Sequence, residues 1–117
     1  MITGAHAILF SRDADADRAF LADVLGLGSV DAGGGWLLFA MPPSELAVHP
    51  TDGDPAHQLY LMCEDVDAFL ADLADRGVEL GQPVSDEGWG RLASFRLPSG
   101  AEQFVYEPRH PLAHGDA

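Results

Sequence analysis

The stretch His57–Gly77, HQLYLMCEDVDAFLADLADRG, repeats the organisation of His6–Gly26, HAILFSRDADADRAFLADVLG. Each opens on a histidine in a short apolar run, passes through an acidic helix start, and stops at a glycine 20 residues after the histidine. A repeat of this length restricts the chain more than any local pattern, because both copies must adopt one supersecondary unit and bury their apolar faces together. It also singles out His6 and His57, which open the two copies in equivalent strand positions.

Read in order, His6–Ser11 is an apolar run expected as a strand, with His6, Ile8 and Phe10 on one face and Ala7 and Leu9 on the other. Ser11 or Asp13 can cap the helix that follows, and acidic residues in its first turn suit the positive end of the helix dipole. Phe20, Leu21, Val24 and Leu25 form its apolar stripe, and Gly26 stops it. The segments Gly28–Asp31, Trp36–Ala40 and Glu45–His49 then read as three antiparallel strands, with Glu45, Ala47 and His49 on one face of the last. Thr51–Ala56, rich in Asp, Gly and Pro, is the expected linker.

The second copy opens on the strand His57–Cys63, and Asp65 caps a helix whose Val66, Phe69, Leu70 and Leu73 face inward up to the stop at Gly77. Val78–Leu80 and Val84 start a further sheet segment, and Arg91–Leu97 and Glu102–Glu107 supply strands, with turns at Gly88-Trp89-Gly90 and Pro98-Ser99-Gly100. The expected architecture is therefore α+β: two βαβββ modules, about residues 4–50 and 55–108 of a single domain spanning 1–117, forming a cupped mixed sheet with the helices outside. Residues 109–117 are expected to be an irregular tail in which His110 and His114 have no specific role.

A chain of 117 residues is long enough for one self-sufficient core. The single cysteine, Cys63, excludes an internal disulfide and reads as a small buried hydrophobe, so a reducing cytoplasm is the expected location. No apolar run approaches the roughly 18 residues of a membrane span. The net charge of −13, with six arginines and no lysine, excludes the basic clusters that nucleic-acid binding needs. It is compatible with a cationic ligand. Much of that charge, including Asp13, Asp15 and Asp17, falls in helical stretches where a solvated face is expected to carry it.

The paired modules, the two opening histidines, the run FLADVLG at Phe20–Gly26 and the closing GWGRLASFRLPSGAEQFVYEP at Gly88–Pro108 resemble the vicinal oxygen chelate superfamily. That superfamily includes glyoxalases, extradiol dioxygenases, fosfomycin-inactivating enzymes and bleomycin-sequestering proteins, and the resemblance spans roughly residues 4–108. It implies a cupped small-molecule cavity and a homodimer. In metal-dependent members it implies a divalent ion held by two histidines and one or two glutamates. His6 and His57 match the histidine positions, but the closing positions differ: four residues after Gly100 stands Phe104, and the repeat-equivalent place in the first module is Ala47.

Two functions stay open at this point. In the first, a divalent metal held by His6, His57 and Glu45 supports lyase, isomerase or dioxygenase chemistry of the superfamily type, with Glu45 or Glu102 as proton-transfer base. In the second, the cavity binds or sequesters a cationic or aromatic drug-like molecule without metal, through a pocket of His49, Trp89, Phe104 and Tyr106. Each residue has a plainer reading as well. The histidines suit hydrogen-bonded core positions, Glu45 and Glu102 suit solvent-facing strand starts, and Trp89 suits either a pocket cover or a core plug.

Overall fold

The structure is a computed structural model, and it describes residues 6–9, 11–45, 47, 50, 52–54 and 58–111. Its elements run α1 (Ala14–Asp23), β1 (Ser29–Asp31), β2 (Leu37–Phe39), β3 (Tyr60–Met62), α2 (Val66–Asp75), β4 (Ser85–Asp86), β5 (Gly90–Arg96) and β6 (Glu102–Pro108). The class is α+β, as expected.

The second half carries the full strand, helix, three-strand order. β3, β6, β5 and β4 form one mixed sheet in that spatial order, with β3 parallel to β6 and the other pairs antiparallel. A parallel pair needs a crossover, and here α2, β4 and β5 all lie between the two strands in sequence. Asp65 caps α2 by accepting from the Ala68 N–H at 3.1 Å. Glu107 of β6 accepts from the Val66 N–H at 3.1 Å, so the sheet satisfies a second donor of the helix start. The chain leaves α1 and α2 through Gly26 and Gly77, at φ 71° and 79°, a left-handed turn that glycine enters without a Cβ clash.

Alternation sorts the strands of this sheet into two faces. Ala93, Phe95, Leu97 and Val105 turn to the helices and form the core with Val66, Leu70 and Leu73 of α2 and Phe20 of α1. Phe95 is fully buried, with its ring centroid 6.0 Å from those of both Phe20 and Phe69. Each such side chain contributes roughly 1.5–3 kcal/mol by leaving water. Gln103 shares this face and stays satisfied, its Nε2 donating to the carbonyls of Leu59 at 2.8 Å and Phe104 at 2.9 Å. Those bonds also tie β6 to the segment entering β3.

The first half departs from its expected plan. α1 forms as expected, with Asp13 as its cap accepting from the Ala16 N–H at 3.2 Å, while the Ser11 hydroxyl accepts from the Asp13 N–H. β1 and β2 pair as a short hairpin through Gly33–Gly35. Residues 6–9, expected as a strand, carry no strand pairing, and neither do Glu45 and Ala47. Phe10, Leu46, Val48 and His49 lie outside the described residues, as does His57. Asp17 corrects a further expectation. Instead of lying on a solvated helix face it is only 5 % exposed, because its Oδ1 accepts from the Ser99 N–H at 3.1 Å and anchors the turn between β5 and β6 to α1. A carboxylate on the inner side of an otherwise acidic helix is invisible to a charge count.

Candidate functional site

The face of the sheet opposite the core is built by the other alternation. Ser94 pairs with Phe104 and Leu92 with Tyr106 across β5 and β6, while Tyr60 pairs with Phe104 and Met62 with Tyr106 across β3 and β6. Cross-strand partners share a face, so Tyr60, Met62, Phe104 and Tyr106 lie together. Their rings touch: Tyr60 stands 5.5 Å from Phe104 and 6.2 Å from Tyr106 between centroids. Trp89, in the turn before β5, meets Tyr106 edge-on at 5.3 Å. Edge and tilted contacts at these separations are the favourable arrangements of aromatic quadrupoles. Trp89 and Tyr60 remain 42 % and 39 % exposed, so the cluster presents ring surface to solvent instead of plugging the core.

Gly90 makes this packing possible. A Cβ there would fall 2.9 Å from the Tyr106 ring and 2.8 Å from the Glu107 carbonyl oxygen, closer than real contacts allow. The Trp89 turn is fastened from the other side by the Arg109 N–H, which donates to the Trp89 carbonyl at 2.9 Å, while the Arg109 guanidinium donates to Asp86 at 3.1 Å. Asp86 is held below the usual carboxylate range, first by the Gly88 N–H and then by Arg109.

Glu45 and His110 close one end of the aromatic face. The His110 Nδ1 lies 2.9 Å from the Pro111 carbonyl, which can only accept, so Nδ1 carries the hydrogen. In the neutral ring Nε2 therefore accepts from the Tyr106 hydroxyl at 3.0 Å. Glu45 Oε1 stands 4.0 Å from the same Nε2. Burial, with the nearby Glu45 charge as a smaller cause, pushes the Tyr106 phenol above its ordinary value, so it remains a donor at neutral pH. His110, read from sequence as part of an inert tail, is thus a wall of the site. The missed signal was its distance of four residues from Tyr106, just past the end of β6.

Of the residues singled out from sequence, the structure gathers Glu45, Trp89, Phe104 and Tyr106 and adds Tyr60 and His110. Glu102 shares the face of Phe104, but its Oε2 accepts from the buried Ser94 hydroxyl at 2.6 Å, and Ser94 in turn accepts from the Gln82 N–H at 2.7 Å. His6 lies elsewhere, in the wall of a cavity beside α1. His49 and His57 are outside the described residues. The ligand set proposed for a divalent ion includes His57, outside the described residues; among the described residues no three His, Cys, Asp or Glu side chains converge, and Phe104 fills the closing-strand position with a ring. Three protein ligands are the usual minimum for a catalytic ion. Cys63, expected to be buried, is half-buried against the edge of the core; burial, then Glu107 and Asp65, push its thiol up to about 11.

A four-stranded mixed sheet with helices on one face and an aromatic cluster on the other defines an α+β domain. The model of the glyoxalase/bleomycin resistance protein/dioxygenase superfamily matches residues 4–109. The chain belongs to that superfamily. Among solved structures it is similar to TnmS3, an antibiotic binding protein from Streptomyces sp. CB03234, with 26 % identity over 92 % of this chain and 99 % of that one and a TM-score of 0.63. A protein of unknown function from Agrobacterium tumefaciens str. C58 is 27 % identical over 92 % and 94 % of the two chains, with a TM-score of 0.64. A lactoylglutathione lyase from Agrobacterium tumefaciens shares the fold at 18 % identity, covering 90 % and 92 % with a TM-score of 0.64. No curated protein matches the chain in sequence.

Proposed function

We propose that this protein binds and sequesters a flat, aromatic, cationic small molecule on the face made by Trp89, Tyr106, Tyr60 and Phe104, without needing a metal. The carrying observation is the ring cluster, in which the buried Tyr106 is supported from below by Gly90 and flanked by Trp89 and Tyr60, which are still exposed. Ring faces attract planar molecules through buried area and attract cations through their quadrupoles. Glu45 supplies a carboxylate at one end, and the net charge of −13 favours approach of a cation from solution. The likeness to an antibiotic binding protein supports the same reading.

In this reading the Tyr106–His110 bond holds the central ring in place, and Glu102 braces β6 through Ser94 in preference to serving as a base. A homodimer is the expected assembly of the binding form, and sedimentation should find a dimer.

The test uses a Trp36→Phe variant, in which Trp89 is the remaining tryptophan. Titration with planar cations such as 9-aminoacridine and berberine, in EDTA, should change its fluorescence saturably, and an added Glu45→Gln should weaken that binding severalfold. No saturable change across such a panel would remove the proposal. So would stoichiometric binding of zinc, nickel or manganese that is lost in both His6→Ala and His57→Ala and is required for ligand binding, an outcome that would instead support the metal-dependent enzyme.

A further inference from the structure

A concave feature lies on the helix side of the sheet, away from the aromatic face. α1, the β1–β2 hairpin, residues 6–9 and the start of β3 enclose a cavity of about 350 Å³. Its wall is mostly apolar, with Leu21, Leu25, Trp36, Phe39 and Leu59 among its residues. This volume lies within the range of sites that hold small organic molecules.

Besides His6 and Asp17, the polar side chains of the wall are those of Ser11, Arg18 and Gln103, and these three are committed. Arg18 donates to Asp15 at 3.1 Å and lies over the Trp36 ring, 5.6 Å from the centroid. The Gln103 amide donates to two backbone carbonyls. Asp17 is different. It belongs to the wall, is 5 % exposed, and has one oxygen bonded to the Ser99 N–H, while Oδ2 is buried with no hydrogen-bond partner among the described residues. Buried polar atoms are nearly always paired, so an orphaned carboxyl oxygen beside an apolar cavity marks the place of a missing donor. The donor best matched to a carboxylate is a protonated amine, which makes shorter and stronger bonds than a neutral one.

We infer that this cavity is a second small-molecule site, taking a mainly apolar amine of roughly ten to fifteen non-hydrogen atoms. Its ammonium pairs with the Asp17 carboxylate, whose Oδ2, closed to solvent in the empty cavity, turns to meet it, and its apolar body lies against Trp36, Phe39 and the leucines of α1. The site is independent of ligand binding at Trp89, and the two are reported by different tryptophans.

The experiment is a titration of Trp89→Phe protein, in which Trp36 is the fluorescent reporter, with 4-phenylbutylamine, 4-phenylbutyrate and butylbenzene. It is run at about 0.5 M NaCl, where long-range attraction to the acidic surface is screened to within a few ångströms. The amine should bind saturably and about tenfold or more tighter than either analogue, the margin expected of one charge-assisted bond. Asp17→Asn should bring the amine to the level of butylbenzene and leave butylbenzene unchanged. Leu21→Phe, which narrows the cavity without touching Asp17, should weaken all three. Equal affinity for amine and acid, or amine binding unaltered in Asp17→Asn, would overturn the inference even if the aromatic face proved to bind planar cations.

Discussion

Trp89→Ala removes the exposed edge of the aromatic face while leaving Tyr106 on its strand. Loss of a single stacking partner is worth about 1 kcal/mol or more, so affinity for a planar ligand should fall about tenfold with little change in melting temperature, a contrast that calorimetry can read. Gly90→Ala acts at the same spot from beneath. Because the new Cβ would meet backbone as well as the Tyr106 ring, it should cost about 1–3 kcal/mol of stability and lower ligand affinity together, measured by urea unfolding and titration. Cys63 gives a test independent of any ligand. With its thiol raised from 9.0 to about 11, the thiolate fraction at pH 8 is roughly 100-fold below that of an unperturbed thiol, and iodoacetamide should alkylate it only slowly until the protein is denatured. The sign for stability follows: a raised acid contributes stability below about pH 9, and that contribution is lost as pH rises towards 11. Fast alkylation of the folded protein at pH 8 would contradict this placement of Cys63.

Among the elements, α2 and the sheet it covers carry the stability. Leu73, 1 % exposed between helix and sheet, should cost about 2–5 kcal/mol when cut to alanine, whereas Val30→Ala on the exposed hairpin strand β1 should cost under about 0.5 kcal/mol. Thermal unfolding of the two variants measures the contrast. The second half was legible in sequence because each local signal agrees with the next: Asp65 caps, Val66, Leu70 and Leu73 repeat at helical spacing, Gly77 stops, and β5 and β6 alternate. The first half was less so. The alternation of His6, Ile8 and Phe10 suggested a strand, but a strand also needs a partner edge, and sequence pattern does not supply one; residues 6–9 line a cavity instead. The aromatic face was half legible. Phe104 and Tyr106 follow from alternation along one strand, whereas Tyr60 enters through parallel pairing between segments more than 40 residues apart, and His110 enters through a turn that no periodicity marks.

At the scale of the molecule, the two faces of the sheet have separate duties. The helix face holds the core and, beside α1, an incompletely filled apolar space; the opposite face holds rings, Glu45 and His110. Membership of the superfamily fits this division, and the strongly acidic surface gives both proposed sites a preference for cations, so raising the salt concentration should slow association with planar cations more than it speeds their release. Stopped-flow measurements at two ionic strengths would show it. The most direct test of the central claim is calorimetric titration of 9-aminoacridine into chelator-treated protein, beside Trp89→Ala. Saturable binding at one planar ligand per chain in EDTA, weakened about tenfold by the substitution, is the expected result. Binding that needs added divalent metal, or that Trp89→Ala leaves untouched, would contradict it.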